Sequence, residues 1–198
     1  MALVAYRDIG DEYVTKKFDL TADIQGLYGE LLAFRARGGG DWPESVNEAL
    51  DIAVTKLDWS KGRDICRIIF LVGDAPPHMN YPQDRKYTEV VADARKRGII
   101  VNAVQAGGAR DTERVWREIA QRADGEYLRI PQHGAVVVIE TPYDRSIHEL
   151  QIELNKTVIP YGKRAEQRAV QDKLARSVAA PAPAASDMAG YLSKKAGA

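Results

Sequence analysis

Arg67-Ile68-Ile69-Phe70-Leu71-Val72-Gly73-Asp74-Ala75-Pro76-Pro77-His78 passes from six uncharged residues, Ile68 to Gly73, straight into a carboxylate and a proline pair. Branched and aromatic side chains at consecutive positions fit a strand buried on both faces of a parallel sheet, not an alternating surface strand. Asp74 then stands at the strand's carboxyl end. Open α/β sheets bind ligands in the crevice beyond those ends, which makes Asp74 a functional candidate by position. An Asp that merely opens the turn before Pro76 and Pro77 would look the same in isolation. Whether other acids gather around it decides between the two.

Working outward, Leu3 to Tyr6 reads as a first strand and Tyr13 to Leu20 as a second, more polar one, and the short Gly10-Asp11 connection favours an antiparallel hairpin. Thr21 is placed to cap the next helix, in which Ile24, Leu27, Tyr28, Leu31, Leu32 and Phe34 recur at helical spacing before Gly38-Gly39-Gly40 ends it. Val46, Leu50, Ile52, Ala53 and Leu57 form a second amphipathic helix. Beyond Asp74, Tyr87, Val90, Val91 and Ala94 predict a third helix and Ile99 to Val104 another apolar strand. Thr112 is placed to cap a fourth helix, and Glu126 to Ile130 is the next strand.

Strand, helix, strand, helix and strand at this spacing predict an α/β fold: a doubly wound, Rossmann-like, mostly parallel sheet with helices on both faces. Ala135 to Ile139 is a further apolar run that pattern alone leaves open between strand and helix. The expected organisation is a domain over residues 1–142, a helical extension over 143–178 and an Ala/Pro-rich, disordered tail over 179–198.

The 198 residues carry 28 basic and 28 acidic side chains, a balance that gives no electrostatic reason to expect nucleic acid. No run approaches the roughly 18 apolar residues of a membrane span. The one cysteine, Cys66, offers no disulfide and no cysteine zinc site, and is expected as a small core side chain. Because Ala2 to Tyr6 already reads as a core strand, the start of the chain is expected to lie inside a domain.

Three loops are expected at one end of the sheet: Arg7-Asp8, Gly39-Gly40-Asp41-Trp42-Pro43-Glu44, and Asp74. Asp8, Asp41, Glu44 and Asp74 at one rim would repel one another unless they took up protons or a cation. Oxygen donors without Cys or His select a hard ion, Mg²⁺ or Ca²⁺. Pro43 fixes its loop so that its carbonyl can also face an ion. The plainer reading makes Asp41 and Glu44 ordinary residues of a helix start.

Leu3-Val4-Ala5-Tyr6-Arg7-Asp8, Gly39-Gly40-Asp41-Trp42-Pro43-Glu44 and Phe70 to His78 resemble successive pieces of a von Willebrand factor A domain, over roughly residues 2 to 131. The Asp-x-Pro-Glu loop and the Asp-Ala pair are most similar to the I-like domain of integrin β subunits and to bacterial von Willebrand A proteins. The resemblance implies a metal-ion-dependent adhesion site holding Mg²⁺, with Glu44 and Asp74 among its ligands, and a neighbouring Ca²⁺ site matching Asp8, Asp41, the Pro43 carbonyl and Glu44. Trp42 and His78 would form the partner-binding rim. Two positions depart from the pattern. Gly39 stands where the integrin loop has an Asn ligand, and no Asp-x-Ser-x-Ser follows an apolar strand. The family's first strand is therefore expected to be missing, leaving a gap between Leu3–Tyr6 and Ile68–Gly73.

The function expected is a non-enzymatic protein-interaction module that binds a partner carboxylate through a divalent cation, with a protein ligand as partner; the resemblance permits a secreted or periplasmic location. The alternatives are a metal-free interaction scaffold, with the polar helix from Lys163 to Val178 as docking surface, and a Mg²⁺-dependent phosphoryl-transfer enzyme. The second has no Gly-Lys-Ser/Thr phosphate loop to support it.

Overall fold

Alternate residues of an extended strand face opposite sides of its sheet, so a strand apolar throughout carries two apolar faces, whether or not both are covered. The computed structural model describes residues 1–35, 40–62, 64–132 and 141–178. Among them, mixed α/β structure runs in the order β1 (Leu3–Tyr6), β2 (Thr15–Phe18), α1 (Ile24–Ala33), α2 (Val46–Thr55), β3 (Arg67–Gly73), α3 (Tyr87–Lys96), β4 (Ile99–Ala106), α4 (Arg110–Arg122), β5 (Tyr127–Ile130), α5 (Asp144–Thr157) and α6 (Arg164–Val178). The run from Ala135 to Ile139 and the tail 179–198 lie outside the described residues.

Two compact units divide these elements. One holds β1 and β2, α2 to α4, and β3 to β5; the other holds α1, α5 and α6, so α1, expected inside the first domain, groups with the C-terminal helices. In that second unit, Asp23 caps α1 by accepting from the Gly26 N–H at 3.0 Å. Thr21, the residue expected to cap, does not; its own N–H bonds to the Met1 carbonyl at 2.8 Å.

In the larger unit β3, β4 and β5 form a parallel sheet in that order, with Arg67 opposite Ile99 and Ala103 opposite Tyr127. The first two strands make the antiparallel hairpin their short connection calls for, Leu3 opposite Phe18 and Tyr6 opposite Thr15. β1 and β3 belong to separate sheets and are not paired, which leaves an interval between them. The phenol of Tyr6 spans it, donating to the Val72 carbonyl at 2.9 Å. Gly73 makes room for this contact, since a Cβ there would collide with the Tyr6 oxygen.

One face of the parallel sheet is packed. Leu71, Val101 and Ala103 meet Val46, Leu50 and Val54 from α2, Val90, Val91 and Ala94 from α3, and Trp116, Ile119 and Ala120 from α4 in a single core. Spacings of three and four residues along each helix produce these stripes.

Among the described residues the other face is bare, and here the sequence expectation fails. Phe70 is 63 % exposed, Val72 52 % and Leu128 54 %, so β3 is buried on one face and not on both. The reason is that α2, α3 and α4 all contribute to the core on the Leu71 side. Two smaller expectations also fail. Cys66 is exposed, just before β3 and not in it. Thr112 lies within α4, whose N-cap is Ala109, and its buried hydroxyl is used elsewhere.

Candidate metal centre

The site begins in backbone. The Glu44 N–H donates to the Pro76 carbonyl at 2.9 Å, the His78 N–H donates to the Glu44 carbonyl at 3.0 Å, and the Ser45 N–H donates to the Arg7 carbonyl at 3.1 Å. Glu44 and Pro77 thereby form an isolated parallel bridge. These bonds tie together the three loops after β1, before α2 and after β3. Side chains reinforce the seam, because buried Asn47 donates to the His78 carbonyl at 2.6 Å and accepts from the Tyr87 N–H at 2.8 Å. Thr112 Oγ1 donates to the Asp74 carbonyl at 2.8 Å.

On this frame Asp8, Asp41 and His78 each offer one ligand atom, all within 4.8 Å of one another, and the set can hold a metal ion. His78 Nε2 lies 3.3 Å from Asp8 Oδ2 and 3.3 Å from Asp41 Oδ2. Asp8 is held from two sides: Ser45 Oγ donates to its Oδ1 at 2.9 Å and Tyr81 Oη to its Oδ2 at 2.8 Å. The imidazole stacks on the Tyr81 ring, with centroids 4.1 Å apart and planes 18° apart, while Nδ1 meets Asn80 Oδ1 at 2.9 Å. Asp41 is the exposed member, 58 % accessible at its side chain, against 16 % for Asp8 and 5 % for His78.

The remaining sequence-picked residues fall around this set. Glu44 and Asp74 are outside it, yet both are near enough to interact by charge. Burial raises the Glu44 carboxyl above its ordinary value, and the charges of Asp8, Asp11, Asp74 and Asp41 raise it further. Asp74 accepts from Gln132 Nε2 at 2.8 Å. Burial, with help from Asp74 and Glu44, also pushes the Tyr6 phenol upward. Pro43 is half-buried in the same loop, and no described hydrogen bond uses its carbonyl. Trp42 does stand at the rim, 46 % exposed, with Nε1 donating to Asp111 Oδ2 at 2.7 Å.

His78 is misplaced by the sequence expectation. It is a buried side chain, 4 % exposed, and not a rim residue. The backbone bridge between Glu44 and Pro77 draws the following residue inward, which the sequence around Pro76-Pro77 does not reveal.

Charge balance at the rim follows from these contacts. Burial works to raise the Asp8 carboxyl, but hydrogen bonds from Tyr81, Ser45 and the Ile9 backbone, with the nearby His78, hold it below the ordinary range. Burial works to lower His78, and its contact with Asn80 and the charges of Asp8 and Asp41 outweigh that, so the imidazole is raised. The Tyr81 phenol is pushed up to about 12 by desolvation and by its bond to Asp8. Asp84, which sequence reasoning passed over, is raised by burial and by Glu48 and Asp8, against the opposing charges of Lys86 and His78.

Three buried side-chain atoms among the described residues have no hydrogen-bond partner: Glu44 Oε2, His78 Nε2 and Asp84 Oδ2. All three belong to groups that interact with Asp8. Unsatisfied buried polar groups are uncommon and costly, and these three atoms hold bonding capacity that the described residues leave unused. No family model matches the chain, and none of the curated proteins compared with it does.

Proposed function

We propose that this chain is a protein-interaction module of the von Willebrand factor A type, built on the parallel β3–β4–β5 sheet, in which a divalent cation at the rim holds a carboxylate of a partner protein. The observation that carries this reading is the convergence of Asp8, Asp41 and the unpartnered His78 Nε2 where three loops are stitched together, with the half-buried carboxylate of Glu44 beside them. A bound cation would supply the electrophilic position that attracts a partner's carboxylate. Asp8 and Asp41 would supply negative ligands, Mg²⁺ and, at a neighbouring position, Ca²⁺ being the ions that the resemblance implies. Glu44 and Asp74 would add negative potential and outer-sphere contacts.

Each side chain has a positioning or electrostatic part in this reading. Ser45 and Tyr81 orient the Asp8 oxygens. Exposed Asp41 forms the open side, and Trp42 beside it gives a partner an aromatic surface braced by Asp111. No turnover is assigned, because the buried imidazole faces two carboxylates and not a hydroxyl or thiol that it could activate.

Selection from a displayed peptide library, in divalent cation and again in EDTA, tests the reading. Asp- or Glu-bearing peptides are expected to enrich only with the cation, and to be lost in Asp41→Asn, a substitution at an exposed position. Enrichment that ignores the cation would overturn the proposal.

A further inference from the structure

Beneath the rim lies a buried donor that oxygen-based reasoning leaves out. His78 Nε2 belongs to a side chain only 5 % exposed, points between two carboxylate oxygens at 3.3 Å each, and makes no hydrogen bond. Its direction is fixed twice over, by the Asn80 contact at Nδ1 and by stacking on Tyr81. With Nδ1–H donating to Asn80 Oδ1, the neutral ring presents its Nε2 lone pair to the carboxylates. A lone pair facing two anionic oxygens in a buried place is repulsive, unless a cation lies between them.

A proton is the simplest cation. Yet an N–H at Nε2 has one direction, and with an oxygen of Asp8 and one of Asp41 both at 3.3 Å it cannot serve the two carboxylates at once. A metal ion meets all three donors at once. The supports around the ring and around Asp8 are of the kind that metal sites use to orient their ligands: a polar group on the imidazole's far nitrogen, and hydroxyl donors on the ligating carboxylate.

We infer that Asp8, Asp41 and His78 select a borderline first-row cation, Zn²⁺ ahead of Mn²⁺, over the hard ions Mg²⁺ and Ca²⁺. This rests on the cation-dependent reading of the rim and concerns which ion the rim takes. Imidazole favours the transition metals, Mg²⁺ and Ca²⁺ favour oxygen, and for a mixed nitrogen–oxygen set the order of divalent affinities places Zn²⁺ above Mn²⁺.

Isothermal titration of the whole chain with Zn²⁺, Mn²⁺, Mg²⁺ and Ca²⁺ tests it, together with the imidazole ¹⁵N spectrum. Zn²⁺ is expected to bind most tightly and to shift the Nε2 signal of His78, leaving those of His133 and His148 in place. Asn80→Ala, at an exposed position that touches no cation, is expected to weaken Zn²⁺ about 10- to 100-fold by releasing the ring. His78→Gln, checked for folding by thermal melting, is expected to abolish the preference for Zn²⁺. Mg²⁺ binding as tight as Zn²⁺ and unmoved by either substitution would overturn the inference while leaving a cation-dependent rim in place. No heat with any of the four ions would overturn both.

Discussion

Asn47, Gln105 and Thr112 are as deeply buried as any apolar core residue, and each is fully engaged. Asn47 joins the His78 carbonyl to the start of α3, Gln105 donates to the Ala109 carbonyl at 2.8 Å and accepts from Tyr127 at 2.7 Å, and Thr112 holds the Asp74 carbonyl. A few residues away, Glu44, His78 and Asp84 each leave a buried atom without a partner. Both groups paid a desolvation cost, but only the first recovers it within the chain. The contrast separates frame from site: satisfied residues fix the backbone of loops whose own side chains stay unsatisfied.

The largest effect is expected where the frame is cut. Asn47→Ala orphans a buried carbonyl and a buried N–H together, and should cost about 3 kcal/mol of stability by urea unfolding. A loss under about 0.5 kcal/mol would mean that the seam does not depend on Asn47. Thr112→Val removes one bond at constant shape and is expected to cost about 1 kcal/mol on the same measurement.

On the site side the sign should reverse. Glu44 has a carboxyl raised above its ordinary 4.5, so over the interval between that value and its folded one the folded chain keeps a proton that the unfolded chain releases. Stability contributed by the protonated form is therefore present below the unfolded value and is lost as pH rises through the folded value. Glu44→Gln should melt higher than wild type at neutral pH in EDTA, with the difference gone at about pH 3, where both states are protonated. A variant that melts lower at neutral pH would show that the carboxylate is satisfied after all. The smallest effect is expected on the bare sheet face, where Phe70→Ser, at a side chain already 63 % exposed, should change stability by no more than about 0.5 kcal/mol.

Much of the frame was legible in sequence because it follows from periodicity. The apolar stripes of α2, α3 and α4 and the runs of β3 and β4 set the α/β order, and the strand ends put Asp8 and Asp74 at the same rim. Coverage of the sheet was not legible. Ile68, Phe70 and Val72 are apolar like Ile69 and Leu71, and composition does not reveal which face receives the helices. At the site, loop order located Asp41 beside Asp8, while the burial of His78 depends on the Glu44–Pro77 bridge, a pairing between residues far apart in the chain. Asp84 escaped for a similar reason, since its neighbours Asp8 and Glu48 come from other loops and helices.

Crystals soaked in Zn²⁺ and measured at the zinc absorption edge show whether the three donors hold one ion. One anomalous peak is expected among Asp8, Asp41 and His78, at about 2.0–2.1 Å from Nε2 and about 2.0–2.2 Å from a carboxylate oxygen of each aspartate. A fully soaked crystal with no peak there, and with His78 hydrogen-bonded to one of the two aspartates, would contradict it.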